Sequence, residues 1–173
     1  NNCVVTSTAA IACPADLVFN PSVTNIECFG DDDGIIFGTI FGGTGNLTAE
    51  WTRNGNAFQV IEGSAPLNIN LTNLDEGFYS VAITDNNNCT LSLDLEVTEP
   101  DEITYELIVT DASCFSFCDG ILDTSPIGGT GPFTISTVSE QGDNTPLNGL
   151  CAGNYEVIIE DNAGCIITDS ITV

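Results

Sequence analysis

The chain has 173 residues, of which 25 are Asp or Glu, one is Arg and none is Lys or His, for a net charge of −24. A field of that sign repels nucleic acids and anionic lipid surfaces. The lack of His and the single base also exclude Ser-His-Asp, Cys-His and phosphate-clamping sites. With 42% hydrophobic residues the chain can still bury a core, so disorder is not expected.

In chain order, Asn2-Cys3-Val4-Val5 through Pro14 aligns with Asn88-Cys89 through Pro100, the last strand of a repeat. Residues 1–13 therefore read as the terminal strand of a preceding, incomplete unit. Period-two alternation then predicts strands at 17–26, 35–41, 47–53, 58–61, 67–71, 78–85 and 91–97, with Asn54-Gly55 as a hairpin turn. The linker Val97-Thr98-Glu99-Pro100-Asp101 is short and stiffened by Pro, which predicts units set end to end.

A second unit repeats the first. Cys28/Cys114, Gly34/Gly120 and Gly42-Gly43-Thr44-Gly45/Gly128-Gly129-Thr130-Gly131 are 86 residues apart, while Leu74/Leu150, Gly77/Gly153, Tyr79/Tyr155, Asp85/Asp161 and Cys89/Cys165 are 76 apart. The second unit is shorter by 10 residues, which is expected to remove the hairpin region. Each unit is large enough to own a core, so the domains are 14–100 and 101–173. Leu74-Asp75-Glu76-Gly77-Phe78-Tyr79 and Leu150-Cys151-Ala152-Gly153-Asn154-Tyr155 resemble the tyrosine corner of Greek-key sandwiches, and Trp51 falls where a sandwich buries a Trp. The expected fold is all-β: tandem immunoglobulin-like β-sandwich domains of Greek-key type, linked by disulfides.

Eight cysteines without metal-type spacing read as disulfides in an oxidising compartment. Cys28/Cys89 and Cys114/Cys165 recur in both units, so a bond within each unit is the economical expectation. Cys118 and Cys151 stand where the first unit has Asp32 and Asp75, and cysteines that appear together are expected to pair together. Four cysteines allow three connectivities, and a tension stays open: Cys151 and Cys165 flank a whole strand, whereas Cys114 and Cys118 lie close in sequence. Cys3 and Cys13 bond locally, or Cys3 has its partner in the missing part of the preceding unit. No apolar run approaches the roughly 20 residues of a membrane span, and no signal peptide is present. The chain therefore reads as a mature, exported fragment without membrane insertion.

The order Cys, Asp-Gly-Ile, Gly-Gly-Thr-Gly-Pro-Phe, Leu-x-x-Gly-x-Tyr, Asp-Asn-x-x-Cys is similar to the SprB-type repeat of surface adhesins of gliding bacteria of the Bacteroidota. The resemblance covers both units and the N-terminal remnant. The first unit departs from it at Gly45-Asn46-Leu47, where the second keeps Gly131-Pro132-Phe133. It implies a secreted, extracellular, cell-surface adhesin repeat exported through the type IX route. Asp169-Ser170-Ile171 also resembles the short motif on which such bacteria attach O-glycans, with Ser170 as acceptor. Asn-x-Thr triplets at Asn46, Asn70 and Asn88 matter only in a host that glycosylates asparagine.

If Cys118 and Cys151 touch, Asp32 and Asp75 should approach one another in the first unit. With Asp31, Asp33 and Glu76 beside them, that would gather carboxylates which repel unless a cation bridges them. Asp31, Asp32, Asp33 and Asp75 are accordingly candidate Ca²⁺ ligands, against the plainer reading of a solvated acidic turn. Asp85 and Asp161 are weaker candidates, since an Asp at a strand end can serve the turn alone.

The functional expectation is a non-catalytic extracellular adhesin or stalk repeat, acting as spacer and adhesion module in gliding motility. Its partners would be neighbouring repeats of the same or another chain and surface polysaccharide. Two alternatives stand beside it. One is a self-assembling filament subunit that donates residues 1–12 as a strand. The other is a carbohydrate-binding module using Trp51, Tyr105 and exposed Phe.

Overall fold

The computed structural model describes residues 16–114 and 116–173, so the expected strand within 1–13, with Cys3 and Cys13, lies outside the described residues. The described elements are all β-strands. They form two compact units, one of residues 16–25 with Asp32–Thr98, the other of Ile26–Asp31 with Glu99–Val173. The expected domains at 14–100 and 101–173 differ from this division in two places. Glu99 and Pro100 fold with the second unit, and so does a short segment that lies, in sequence, inside the first repeat.

The first unit contains β1 (Val18–Phe19), β2 (Ser22–Thr24), β3 (Gly34–Phe41), β4 (Asn46–Arg53), β5 (Asn56–Ser64), β6 (Leu67–Leu74), β7 (Gly77–Asp85) and β8 (Thr90–Val97). β3 pairs antiparallel with β1 and β2 along one edge and with β6 along the other. The second sheet runs β5-β4-β7-β8. Phe19 of the first sheet meets Trp51 of the second edge-on, ring centroids 6.3 Å apart, so the two sheets face each other across the core. This is an immunoglobulin-like β-sandwich.

The second unit has β9 (Leu107–Thr110), β10 (Gly120–Thr124), β11 (Thr134–Ser139), β12 (Asn144–Thr145), β13 (Asn148–Leu150), β14 (Asn154–Glu160) and β15 (Ile166–Thr172). Its sheets run β13-β10-β9 and β12-β11-β14-β15, the strand order of the first unit except that β1 is matched only by a single bridge between Thr104 and Ile127. Alternation drives both. Tyr79, Val81 and Ile83 of β7 point inward and are buried, as are Tyr155, Val157 and Ile159 of β14. Each such aliphatic side chain contributes roughly 1.5–3 kcal/mol by leaving water.

Three local outcomes have simple causes. The expected strand 17–26 breaks into β1 and β2 around Pro21, which has no N–H to give a ladder and a fixed φ. Asn54 and Gly55 both have positive φ, 49° and 77°, the signature of the type I′ hairpin their sequence announces. The shortened second unit keeps a hairpin where its removal was expected. β12 has 2 residues against 9 in β5, yet Thr137 and Val138 still pair with Thr145 and Asn144.

Trp51 and Thr137 occupy matched positions, and both are buried. The Thr137 hydroxyl donates to the Thr145 carbonyl at 2.9 Å, which satisfies a polar atom in place of a large apolar one. Both tyrosine corners form: the Tyr79 hydroxyl donates to the Asp75 carbonyl and that of Tyr155 to the Cys151 carbonyl, each at 2.9 Å.

Candidate functional site

The Gly-Gly-Thr-Gly turn and the last Asp of the long strand are far apart in sequence but form one hydrogen-bonded knot in each unit. In the first, the Asp85 carboxylate accepts the backbone N–H of Thr44, Asn87 and Cys89, each at 2.8 Å. In the second, Asp161 accepts those of Thr130, Ala163 and Cys165 at 2.7–2.9 Å. Both carboxylates are buried. Burial pushes each pKa up, but the backbone donors outweigh it and hold both below the ordinary carboxylate range. These residues therefore act as ionised clamps of the turn, and the recurring Cys is fastened through its own amide.

Glycine is required where the turn backs onto the incoming chain. A Cβ on Gly42, at φ +81°, would lie 1.9 Å from the Asp16 carbonyl oxygen, and one on Gly128, at φ +84°, 2.0 Å from that of Glu102. No side chain fits either place.

The disulfides depart from the expected pairing. Cys28 bonds Cys165, with Cα atoms 5.6 Å apart, and Cys118 bonds Cys151. Cys89 is disulfide-bonded. Cys114 is free and exposed, so neither Cys28–Cys89 nor Cys114–Cys165 forms. Strand length is the reason. Cys151 precedes β14 and Cys165 follows it, so β14's seven residues separate the two ends by about 23 Å. Cys114 sits near the Cys118–Cys151 end, where Ser113 N donates to Asp119 Oδ1 at 2.8 Å. A disulfide needs Cα atoms within about 7 Å. The tension left open by the sequence resolves in favour of the Cys118–Cys151 bond, and Cys165 takes its partner from Ile26–Asp31.

That segment is seated by a tight turn. Asp31 N donates to the Cys28 carbonyl at 3.1 Å, Gly30 adopts φ +79°, and Gly30 N donates to Glu99 Oε2 at 2.9 Å. Cys28, Phe29 and Asp31 line a cavity of about 420 Å³ together with Asp101, Asp161 and Ile167.

Among the four candidate calcium ligands, the antiparallel pairing of Gly34 with Leu74 sets Asp33 and Asp75 at adjoining ends of β3 and β6. Asp31 belongs to the second unit and Asp32 and Asp33 to the first. Asp75 makes an ion pair with Arg53, whose other nitrogen donates to the Glu76 carbonyl at 2.9 Å and whose guanidinium lies 6.0 Å from the Tyr79 ring centre. Burial raises the Tyr79 pKa, Arg53 lowers it and Asp75 raises it, with a net upward shift. Among the described residues no group of three or more His, Cys, Asp or Glu is arranged to hold a metal ion. The role of Arg53 escaped the sequence reading, although a single base among 25 acids was itself the signal.

Trp51 is buried and offers no platform to a ligand, whereas Phe37 and Phe41 are exposed on β3 and Phe58 and Val60 on β5. Tyr105 is half-buried, its hydroxyl donating to Asp169 Oδ2 at 3.1 Å. Ser170 is exposed on β15, and so are Asn46, Asn70 and Asn88. Among the described residues no helix is long and apolar enough to cross a membrane.

No protein-family model matches the chain, and no curated protein does. Among solved structures, an amphioxus IgVJ-C2 molecule is similar over 93% of this chain and 96% of its own, at 12% identity and a TM-score of 0.34.

Proposed function

We propose that the chain is a non-catalytic extracellular module of a bacterial surface adhesin, a disulfide-braced spacer that carries load between a cell and what it adheres to. The observation that carries this reading is the employment of the recurring residues. Asp85 and Asp161, the glycine turns, and Tyr79 and Tyr155 are all occupied in holding a sandwich together. A repeat that recurs for its scaffold is what an array needs. Disulfides support an oxidising compartment, and the resemblance to SprB-type repeats supports the cell surface, the type IX route and the partners: neighbouring repeats and surface polysaccharide. The buried Trp51 speaks for the spacer over a carbohydrate-binding module.

Force spectroscopy tests the mechanical part. The Cys28–Cys165 bond spans a sequence separation of 137 residues, so reductant should release up to about 480 Å of hidden length when the chain is pulled from its ends. Equal extension with and without reductant would remove the load-bearing role. A glycan array with the wild-type chain tests the alternative, since strong saccharide binding would favour the carbohydrate-binding module.

A further inference from the structure

The chain contains both halves of a coupling device, one used and one open. Cys28 and Cys114 occupy matched positions, 86 residues apart, in Cys28-Phe29-Gly30-Asp31 and Cys114-Phe115-Ser116-Phe117. Cys28 does not bond within the repeat that carries it in sequence; it bonds Cys165, in the closing turn of the following one. The second copy displays its cysteine on the same turn. Phe117 N donates to the Cys114 carbonyl at 3.0 Å as Asp31 N does to that of Cys28 at 3.1 Å, and Ser116 takes φ 76° where Gly30 takes 79°. A serine held in the left-handed region is costly unless the turn is wanted. The thiol of Cys114 is exposed, and Phe117 beside it is 64% exposed.

We propose that Cys114 forms a disulfide with the Cys165-equivalent cysteine of a further copy of this unit, repeating the Cys28–Cys165 bond, in which the cysteine turn of one sequence repeat is fastened to the closing turn of the next. The acceptor is the Asp161–Cys165 turn: its buried Asp holds the Cys165 amide, and Glu99 takes the amide of the incoming turn. An unmatched cysteine in an oxidising compartment is the ordinary sign of such a partner. The chemistry balances through a low-molecular-weight disulfide such as oxidised glutathione. The Cys114 thiolate displaces one glutathione thiolate and forms a mixed disulfide. The acceptor thiolate then attacks Cys114 Sγ and expels the second glutathione. Two protein thiols lose two electrons and two protons, and one glutathione disulfide becomes two thiols. The inference concerns linkage alone and stands whether or not the module is adhesive.

The test has two arms, both read by non-reducing peptide mapping in glutathione buffer. In the first, the full chain is lengthened after Val173 by a second copy of residues 99–173. The expected result is a bond from Cys114 to the appended copy of Cys165, with Cys114→Ser leaving that cysteine open to alkylation. This arm keeps every native residue, so a missing bond is not explained by a lost fold. In the second, the wild-type chain is mixed with a Cys28→Ser/Cys114→Ser chain, whose Cys165 is open. Recognition predicts cross-linking on the order of tenfold faster than to a Cys114→Ser/Ser170→Cys chain, the effect of roughly one seated aromatic contact. A bond in the first arm alone means linkage along one polypeptide, and bonds in both mean assembly between chains. If the appended cysteine stays free, or Cys114 is found joined to Cys118 or Cys151, the proposal is overturned.

Discussion

The two units share a strand order and differ in how they fasten the end from which the matched strands β7 and β14 depart. The second closes it covalently, Cys118 to Cys151, just before the tyrosine corner. The first places Asp32 and Asp75 at those positions and answers Asp75 with Arg53, the only base in the chain, stacked toward Tyr79. Their cores differ in the same sense. The first unit fills its centre with Trp51, while the second has Thr137 there and a short β12. A generous core can rely on an exposed ion pair, whereas a thinner one is held by sulfur, because cross-links matter most where little surface is buried.

Exchanging the central residue should break that comparison most severely. Trp51→Thr in the first unit is expected to cost about 3–5 kcal/mol, as large-to-small core changes do. Thr137→Val should cost only about 1 kcal/mol, one hydrogen bond, in the second. Denaturant unfolding of each variant measures both, and similar losses would mean the two centres are equivalent.

Cys118→Ser/Cys151→Ser comes next. The sequence separation of 33 residues predicts a loss of about 3–4 kcal/mol, confined to the second unit. Calorimetry that resolves two transitions should show the first unit's melt unchanged.

Acid then separates the knots from the rest of the surface. Asp85 and Asp161 have folded pKa values below the unfolded value of about 3.9. Their ionised forms therefore stabilise the fold at neutral pH, and that contribution is lost as pH falls below about 4 and through the folded values. Protonating the remaining carboxylates relieves mutual repulsion and acts the opposite way. The readout is consequently the difference between wild type and Asp85→Asn or Asp161→Asn. It should be large at pH 7 and shrink toward pH 2, and a constant difference would contradict the clamp.

Arg53→Gln is expected to cost about 1 kcal/mol, because a largely exposed pair is screened and only the ring contact adds to it. Salt should shrink that difference. The smallest effect expected is that of calcium. With Asp75 already paired, calcium or chelator should move the first unit's melting temperature by less than Arg53→Gln does. A larger shift, abolished by Asp32→Asn/Asp75→Asn, would establish Asp31, Asp32, Asp33 and Asp75 as a metal site.

What was legible in advance was local. Alternation at Tyr79-Ser80-Val81-Ala82-Ile83 marks an inward face whatever lies opposite, and Asn54-Gly55 carries its turn in two residues. The pair Cys118 and Cys151 was readable because both appear in one repeat and in neither position of the other. Cys28 was not readable in the same way. Which cysteine it meets depends on the length of β14 and on Ile26–Asp31 folding with the second unit, and neither leaves a period in the sequence. The break at Pro21 was available from the missing N–H, but the surrounding apolar residues masked it. Arg53 was hidden because an ion pair requires register, and only the pairing of Arg53 with Tyr79 across β4 and β7 brings it to Asp75.

The same arginine has a consequence for survival outside a cell. A protease that cleaves after basic residues finds one such residue in 173. That residue lies in β4, hydrogen-bonded to strands on both sides, and its guanidinium is engaged by Asp75 and the Glu76 carbonyl. Such an enzyme must bind an extended, unpaired segment, so it has no foothold until the first unit unfolds. The lysine-free composition thus does more than set a charge, because it makes digestion by trypsin-type enzymes a direct report on the opening of a single strand.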